Sequence, residues 1–442
     1  MPFERFSMKR HNSIWPVLLA GLVLWLGACS QAEQEQKAAT NLEAVDPQGQ
    51  SVDFWYSYKG DRENAFLEMV ANFNQTNPHG IQVKGEHIGN YNELYDKMLV
   101  GIQGGYLPQL TLAYRYQAEA YYRSKGVVDL NPYINSPKWG LAQSEKEDLS
   151  PTFIAQDNID GTQLAILPSR SMEILYYNAS WLAELGHDGP PRNWDEFAQM
   201  CRQAGKQPYS KSLDQSRSQG FLLNIDASRL AAMVFSRGGD LLAADGNTYT
   251  IDTSQARAAL SLLQELQAGG SVALLQDTAA DKDAFGKGQL LFAIHSSSRL
   301  PFFINNVKAQ AGFDWDVAAL PYEGDRPVQN VYGGSIALCR STPEQQLASW
   351  LFIKWFIEPA QQERWSKGSN YFPVSQSTAR SLSPYFRTAY DLLAYGKNEP
   401  TKIGYENVRL MIEEAMREIM QGADVAEALA RVEKAANEPL KN

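Results

Sequence analysis

Cysteine and histidine are scarce in this sequence. Three cysteines and five histidines occur among 442 residues, and none of them stands in a CxxC, an HExxH or a paired Cys/His spacing. Those spacings are typical of zinc sites and of redox-active disulfides. The sequence therefore predicts neither a metal site nor a cofactor.

The short motifs of common enzyme classes are also missing. There is no GxSxG, Walker A or GxGxxG sequence. Carboxylates are numerous enough to imitate the pair of a glycosidase, but nothing identifies two that would flank one bond. His295 precedes a run of serines, where a hydrogen-bonded structural histidine is the common outcome. We predict that the protein is not an enzyme, with a secreted carbohydrate-active enzyme as the alternative.

Positive charge is in deficit. Forty lysines and arginines stand against fifty aspartates and glutamates, for a net charge of −10. Residues 1–28 contribute +2, so the remainder has −12. Proteins that bind nucleic acid usually present basic patches. The balance argues against a nucleic-acid partner, and it does not choose between an acidic and a neutral small ligand.

A membrane-spanning run is missing as well. The apolar stretch Trp15–Leu26 is too short to be a confident spanning helix, and it follows the basic pair Lys9-Arg10. This layout is that of a secretory signal. The chain then reads Leu-Gly-Ala before Cys29, which resembles the lipobox of bacterial lipoproteins. We predict a signal peptide over residues 1–28 and a lipid on Cys29; the alternative is an ordinary signal with an incidental cysteine.

Residues 29–50 are rich in Gln, Glu, Ala and Asn and have little to bury, which predicts a flexible tether between the lipid and the folded domain. The other two cysteines are Cys201, on a predicted helix, and Cys339, in a predicted buried strand. We expect both to be free, buried thiols.

Strands and helices alternate in the first part of the fold. Strand patterns at Val52–Tyr56 and Ile81–Ile88 alternate with helical patterns at Asp61–Phe73 and Tyr91–Ile102. This alternation predicts an α/β fold with a mainly parallel sheet. Ligands of such folds lie beyond the carboxyl ends of strands, so Tyr114 and Arg115, which end the next predicted strand, are candidates for a cleft.

The stretch Tyr332–Val374 is the most informative part of the chain. A Gly-Gly pair precedes the buried strand Ser335–Cys339, and Thr342 is placed to cap a helix that begins with proline. Pro359 ends or kinks this helix. Residues 370–373 then predict an exposed, aromatic bend.

This ordered series resembles the C-terminal signature of family 1 extracellular solute-binding proteins of ABC importers, nearest to the glycerol-phosphate and glycerophosphodiester binders. The resemblance implies a type II, maltose-binding-protein-like fold with two α/β lobes, a hinge and an interlobe cleft. We place lobe 1 at 51–168 and 313–365, and lobe 2 at 169–312 and 366–442. Crossings are expected near Pro168, Phe313 and Trp365.

The function implied is capture of a sugar, polyol or glycerophosphodiester and its delivery to ABC permease subunits. The protein would act as a monomer on the periplasmic side of the envelope, attached to a membrane by its lipid. A chemosensory binding protein without transport is a second alternative.

The resemblance also implies ligand-binding residues. These are Tyr91, Ser171, Ser296 or Ser297, Gly334 and Tyr371.

Two further positions depart from the glycerol-phosphate binders. Arg115 stands where they have a glutamate that accepts from hydroxyl groups, so we expect Arg115 to donate to the ligand instead. Lys402 stands at their phosphate-binding arginine, as a point charge without a bidentate fork. Their tryptophan pair near residues 224–230 is absent. The exact ligand therefore stays open.

Overall fold

A computed structural model describes residues 42–166, 170–275, 280–402 and 404–438. The predicted signal peptide, the predicted lipidation site Cys29 and the predicted crossing at Pro168 lie outside these ranges. None of the helices within them is long and apolar enough to cross a membrane.

The strands in the described ranges, numbered along the chain, are β1 Ser51–Tyr56, β2 Gln82–His87, β3 Leu110–Ala113, β4 Asn158–Ile159, β5 Thr162–Gln163, β6 Ser171–Asn178, β7 Phe221–Leu223, β8 Val272–Leu274, β9 Phe292–Ser296, β10 Trp315–Ala318, β11 Gln329–Tyr332, β12 Ser335–Leu338 and β13 Gly396–Lys397. The longer helices are Asp61–Thr76, Tyr91–Gly104, Arg115–Arg123, Trp194–Lys206, Ala227–Phe235, Ser254–Ala268, Leu300–Ala309, Pro343–Phe356, Pro359–Ser369, Pro384–Asp391, Tyr405–Met420 and Val425–Asn437. Shorter helices are Asn131–Ile134, Gln143–Asp148, Pro151–Gln156, Ala179–Glu184, Ala280–Gly286 and Gln376–Ala379.

The first lobe is built on a four-stranded sheet with the order β12-β3-β1-β2. β1 pairs in parallel with β2 and β3, and β12 joins β3 antiparallel. The helices Asp61–Thr76 and Tyr91–Gly104 connect the three parallel strands, as the alternating pattern predicts. Each helix buries an apolar stripe, for example Phe66, Met69, Val70 and Phe73 in the first.

The second lobe is built around β6, a continuous run in which seven of eight residues are buried. β9, β10 and β11 pair with it antiparallel, and β13 pairs in parallel with β11. The predicted lobe 1 includes residues 313–332, whereas this pairing attaches β10 and β11 to the second sheet. The predicted border at Phe313 is therefore wrong, and the chain returns to the first lobe between β11 and β12.

Gly333 and Gly334 form the connection between β11 and β12 by which the chain returns to the first lobe. Gly334 lies against the Tyr91 ring, and a Cβ at position 334 would collide with the Tyr91 hydroxyl. The glycine is needed because the crossing backbone passes this close to a side chain of the first lobe.

The last crossing lies later than the predicted Trp365. The helix Pro359–Ser369 still packs on the first-lobe helix Asp61–Thr76. The next segment passes the hinge, where Phe372 pairs with Arg170, but Ser375 and Ser377 still bind Asp148 of the first lobe. The helix Pro384–Asp391 then packs on β10 of the second sheet, so the chain crosses between Ser377 and Pro384. Tyr371 and Phe372 are only 8% and 1% exposed, so the predicted exposed bend is wrong. The Tyr371 ring stacks on Trp365, and the Phe372 ring meets Tyr390 edge-on.

Several local predictions are confirmed. The Thr342 side chain caps the helix Pro343–Phe356 by accepting from the Gln345 backbone N–H. Cys201 and Cys339 are free and buried.

The last part of the predicted tether contacts the first lobe. The Trp139 indole N–H donates to the Leu42 carbonyl at 3.1 Å, and the Ser136 hydroxyl donates to Glu43 at 3.0 Å. The beginning of the predicted tether, residues 29–41, lies outside the described residues.

Candidate functional site

Two neighbouring cavities lie between the lobes. The smaller cavity, of about 170 Å³, is lined by Tyr114, Arg115, Tyr116, Gln156, Arg170, Asp226, Ser228, Val331, Tyr332, Gly333, Asn398, Glu399, Pro400 and Arg409. The larger cavity, of about 550 Å³, is lined by Lys59, Gly60, Asp61, Arg62, Glu173, Asn224, Asp226, Arg229, His295, Ser296, Ser298, Arg299, Phe302, Tyr332, Gly368, Ser369 and Asn370. Asp226 and Tyr332 line both cavities, so the two form adjoining halves of one interlobe cleft.

Tyrosine rings form the first-lobe wall of the smaller cavity. Tyr114 follows the carboxyl end of β3, and its ring centroid lies 4.4 Å from that of Tyr91 and 5.8 Å from that of Tyr116. Burial raises the pKa of the Tyr91 and Tyr114 hydroxyls, so both are neutral at physiological pH. The wall offers ring faces for the apolar side of a solute.

Arg115 begins the helix that follows this wall and lines the smaller cavity. One guanidinium nitrogen donates to the Asn158 carbonyl at 3.3 Å, while its Nε is buried without a hydrogen-bond partner. Burial lowers the pKa of Arg115, against the opposing effect of Asp157 and Glu119. Among the described residues, no carboxylate oxygen lies within 4 Å of the Arg115 guanidinium, the limit for an ion pair. Arg115 can therefore still donate hydrogen bonds to a solute.

A second arginine, Arg170, is fully engaged at the hinge. Its guanidinium pairs with Asp157 at 3.1 Å, and both side chains are almost completely buried. It also donates to the Gly333 carbonyl at 2.9 Å, while the Ser335 hydroxyl donates to Asp157 at 2.6 Å. These bonds join the chain before β4 to the crossing between β11 and β12.

A third arginine, Arg409, forms the second-lobe wall of the smaller cavity. It pairs closely with Glu399, and Asp226 lies 3.7 Å away. Glu399 also accepts from the Tyr405 hydroxyl at 2.8 Å. Burial acts to raise the pKa of Glu399, but Arg409 and the hydrogen bonds outweigh it and hold the pKa below its usual value. Glu399 is thus a charged acceptor at the cavity wall.

The lobes touch directly beside this cavity. The Tyr116 hydroxyl of the first lobe donates to Glu406 of the second through a short hydrogen bond, and its ring meets the Tyr405 ring edge-on at 5.7 Å. These contacts join the helix Arg115–Arg123 to the helix Tyr405–Met420.

The floor of the larger cavity is a buried polar cluster. Glu173 pairs with Arg229 at 3.1 Å and accepts from the Tyr332 hydroxyl at 2.7 Å. Both partners of the ion pair are at most 5% exposed. The pair is therefore a structural part of the floor.

His295 lies beside this cluster. Its Nδ1 accepts from the Ser296 backbone N–H at 2.9 Å, and its Nε2 faces Asp281 at 3.4 Å. Burial, reinforced by Arg229 and Arg299, lowers the pKa of His295 well below its usual value. The imidazole is neutral and held from both sides, which is a structural role.

The structure brings only some of the predicted site residues into the cleft. Arg115 lines the smaller cavity and Ser296 the larger one. Ser171 and Ser297 are each 1% exposed, and the Ser297 hydroxyl accepts from the Met172 backbone N–H. Neither serine lines a cavity.

The remaining predicted residues surround the cleft. Tyr91 and Gly334 pack on each other behind Tyr114, and Tyr371 lies under the guanidinium of Arg62 at 4.3 Å. Lys402 lies outside both cavities, where its ammonium contacts the Asn247 carbonyl and the Tyr249 ring.

Four residues that line the cleft are not among the predicted site residues; they are Asp226, Tyr332, Glu399 and Arg409. One signal was available for the arginine: Tyr405 and Arg409 are four residues apart on one helix, so their side chains share a face. The pairing of Arg409 with Asp226 has no such signal, because 182 positions separate the two residues.

Comparison with known proteins gives a family and a fold. Residues 68–387 match the model of the family described as bacterial extracellular solute-binding protein. Comparison with curated protein sequences gives no match.

Three solved structures are similar over nearly their whole length. The sugar-binding protein MalE from Xanthomonas citri has a TM-score of 0.74 and 19% identity, over 88% of this chain and 96% of that one. UgpB from Mycobacterium tuberculosis in complex with glycerophosphocholine has a TM-score of 0.72 and 21% identity, over 87% of this chain and 97% of that one. The cyclic α-maltosyl-1,6-maltose binding protein from Arthrobacter globiformis has a TM-score of 0.70 and 22% identity, over 88% of this chain and 98% of that one. The predicted two-lobe, maltose-binding-protein-like α/β fold is confirmed.

Proposed function

Because the chain belongs to the family of bacterial extracellular solute-binding proteins, as the resemblance in its sequence indicates, we propose that it captures a sugar, polyol or glycerol-phosphate-type solute between its lobes and delivers it to an ABC permease. Proteins of this family bind solutes and are not enzymes. The observation that supports the proposal best is the smaller cavity, which joins tyrosine rings, a charged acceptor and an arginine donor from two lobes.

The chemistry of the smaller cavity suits a polyhydroxylated solute. The faces of Tyr114 and Tyr116 are available to the C–H side of a sugar ring or polyol chain. The carboxylates of Glu399 and Asp226 can accept from hydroxyl groups, and Arg115 can donate to a ring, ester or acid oxygen. Each lobe supplies only part of this set, so a bound solute is fully contacted only when the lobes are together.

Lobe closure follows as part of the proposal. A solute that contacts both lobes binds the closed form better and shifts the population towards it. In this proposal the hinge lies at three crossings, which are before β6, between β11 and β12, and between Ser377 and Pro384. In this proposal Tyr116 and Glu406 act as a contact that forms on closure.

The test is a thermal-shift screen of sugars, polyols and glycerophosphodiesters, followed by X-ray scattering with each hit. A solute that binds only the folded state stabilises it by about 2.7 kcal/mol at a hundredfold excess over its Kd. A true ligand should also reduce the radius of gyration. A tightly bound solute that leaves the radius unchanged would contradict the closure mechanism.

We further propose that the mature protein is a lipoprotein held on the membrane by Cys29. Two or more acyl chains give stable anchoring where one does not. Cys29→Ser should move the protein from the membrane to the soluble fraction after cell fractionation, with Cys201→Ser as the control that stays membrane-bound. Equal membrane retention of the Cys29 variant would show that the anchor lies elsewhere.

A further inference from the structure

Basic side chains dominate the interlobe cleft of this acidic protein. Among the described residues that line the two cavities, seven are lysine or arginine and four are aspartate or glutamate. The whole chain has the opposite balance, with a net charge of −10. The excess of positive charge is therefore local to the cleft.

Three of the seven cations already have buried or partly buried counter-charges. Arg170 pairs with Asp157, Arg229 with Glu173, and Arg409 with Glu399. These pairs are hydrogen-bonded further and belong to the walls and floor. They leave Lys59, Arg62, Arg115 and Arg299 as cations that form no ion pair within the described residues.

Three of these four cations line the larger cavity from opposite sides. Lys59 and Arg62 come from the first lobe, at the start of the helix Asp61–Thr76. Arg299 comes from the second lobe, directly before the helix Leu300–Ala309. Three acids line the larger cavity. Glu173 is paired with Arg229 in the floor, Asp226 lies 3.7 Å from Arg409 of the smaller cavity's wall, and Asp61 is exposed.

Closure brings the two sides of this rim together, and like charges that converge without a counter-charge repel one another. An anion between them removes this repulsion and accepts hydrogen bonds from both lobes. Arg299 lies next to the hydroxyls of Ser296 and Ser298, which add neutral donors beside the cation.

We propose that the solute is a sugar or polyol that bears a carboxylate or a phosphate ester, with this acidic group in the larger cavity between Lys59, Arg62 and Arg299. The hydroxylated part then occupies the smaller cavity, against Tyr114 and the acceptor Glu399. This inference rests on the proposed function and narrows its class of solute.

Isothermal titration of the full protein with matched pairs of probes tests it. The neutral and acidic members are D-glucose with D-glucuronate, D-glucose with D-glucose 6-phosphate, and glycerol with glycerol 3-phosphate. The first pair isolates a carboxylate and the other two a phosphate. We expect an acidic member to bind at least tenfold more tightly than its neutral partner, and its affinity to fall with rising salt concentration, since exposed charges are screened.

Two variants locate the acidic group. Lys59→Gln and Arg299→Gln should each lower the affinity for the acidic probe about tenfold. The affinity for any neutral probe that binds should not change. Lys59 is exposed, so its replacement leaves the core intact. Lys84→Gln and Lys308→Gln are the matched controls, because they make the same charge change at exposed positions of each lobe outside both cavities.

The outcomes separate the two proposals. Neutral probes that bind as tightly as the acidic ones, or tighter, would overturn the acidic class while leaving a solute-binding cleft. If neither Lys59→Gln nor Arg299→Gln changes the affinity for an acidic probe, the acidic group does not lie in the larger cavity. Failure of acidic and neutral probes alike, in this assay and in the wider thermal-shift screen, would count against both proposals.

Discussion

The smaller and larger cavities adjoin each other, yet their charged groups are arranged in opposite ways. Around the smaller cavity, Arg170 and Arg409 are held by carboxylates, and Arg115 is the cation with an unused donor. Around the larger cavity the ion pair Glu173–Arg229 lies in the floor, and the cations of the rim form no ion pair within the described residues. Paired charges fix the shape of a wall, whereas unpaired charges remain available to a solute.

The largest effect is expected from breaking a paired charge. Asp157→Asn would leave the Arg170 guanidinium, 3% exposed, without its counter-charge. Removing one partner of a buried ion pair costs about 3–5 kcal/mol of unfolding free energy. Urea unfolding measures this loss. Asp391→Asn, which breaks an exposed pair with Arg387, is the control and should cost under about 1 kcal/mol. Equal losses in the two variants would show that Arg170 is not held by Asp157.

A smaller effect, on binding alone, is expected from the unpaired Arg115. The solute to use is one that stabilises the parent protein. Arg115→Ala should weaken its binding by about 1.5–3 kcal/mol, the value of a charge-assisted hydrogen bond. The unfolding free energy of the unliganded protein should change little. Arg123→Ala, on the exposed side of the same helix, is the control for titration calorimetry. Equal losses of affinity and stability would make Arg115 a structural residue.

Loss of the hydrogen bond between the lobes should destabilise the closed form, relative to open forms, by about 1 kcal/mol, the net value of one hydrogen bond. Tyr116→Phe removes the hydroxyl that donates to Glu406 and keeps the ring that meets Tyr405. The unliganded protein should then populate more open forms, with a larger radius of gyration in X-ray scattering. Tyr122→Phe, at an exposed position of the same helix, should leave the radius unchanged. An unaltered radius for Tyr116→Phe would exclude this contact as a determinant of closure.

The smallest effect concerns acid pH. Because the pKa of Glu399 is lower in the folded protein than its ordinary value of 4.5, the folded state binds this proton less readily than the unfolded chain does. The stability contributed by the carboxylate is present above pH 4.5 and is lost as the pH falls through the lowered pKa. Unfolding free energy measured from pH 7 to pH 3 should fall less steeply for Glu399→Gln than for the parent. Glu414→Gln, an exposed control, should follow the parent. Parallel curves for the parent and Glu399→Gln would contradict the linkage.

Features that depend on neighbours in sequence were open to prediction. The period of apolar residues identified the parallel strands β1 and β2 and the helix after β1, since the period reports which face is buried. The Thr-Pro start of the helix Pro343–Phe356 was visible because capping uses residues within one turn. Arg115 was placed at the cleft because it follows the carboxyl end of a strand.

Features that depend on distant partners were decided by the tertiary structure. Nothing in the local sequence of β10 and β11 says that they pair with β6, more than a hundred residues earlier, so the predicted lobe border was misplaced. Lys402 and Arg409 are cations seven residues apart, and only the second is on the helix Tyr405–Met420. The packing of this helix brings Arg409 to Glu399 and Asp226, whereas Lys402 stays outside the cavities. Local periodicity and capping are determined by adjacent residues. Pairing and desolvation of charges are determined by which remote segments come into contact.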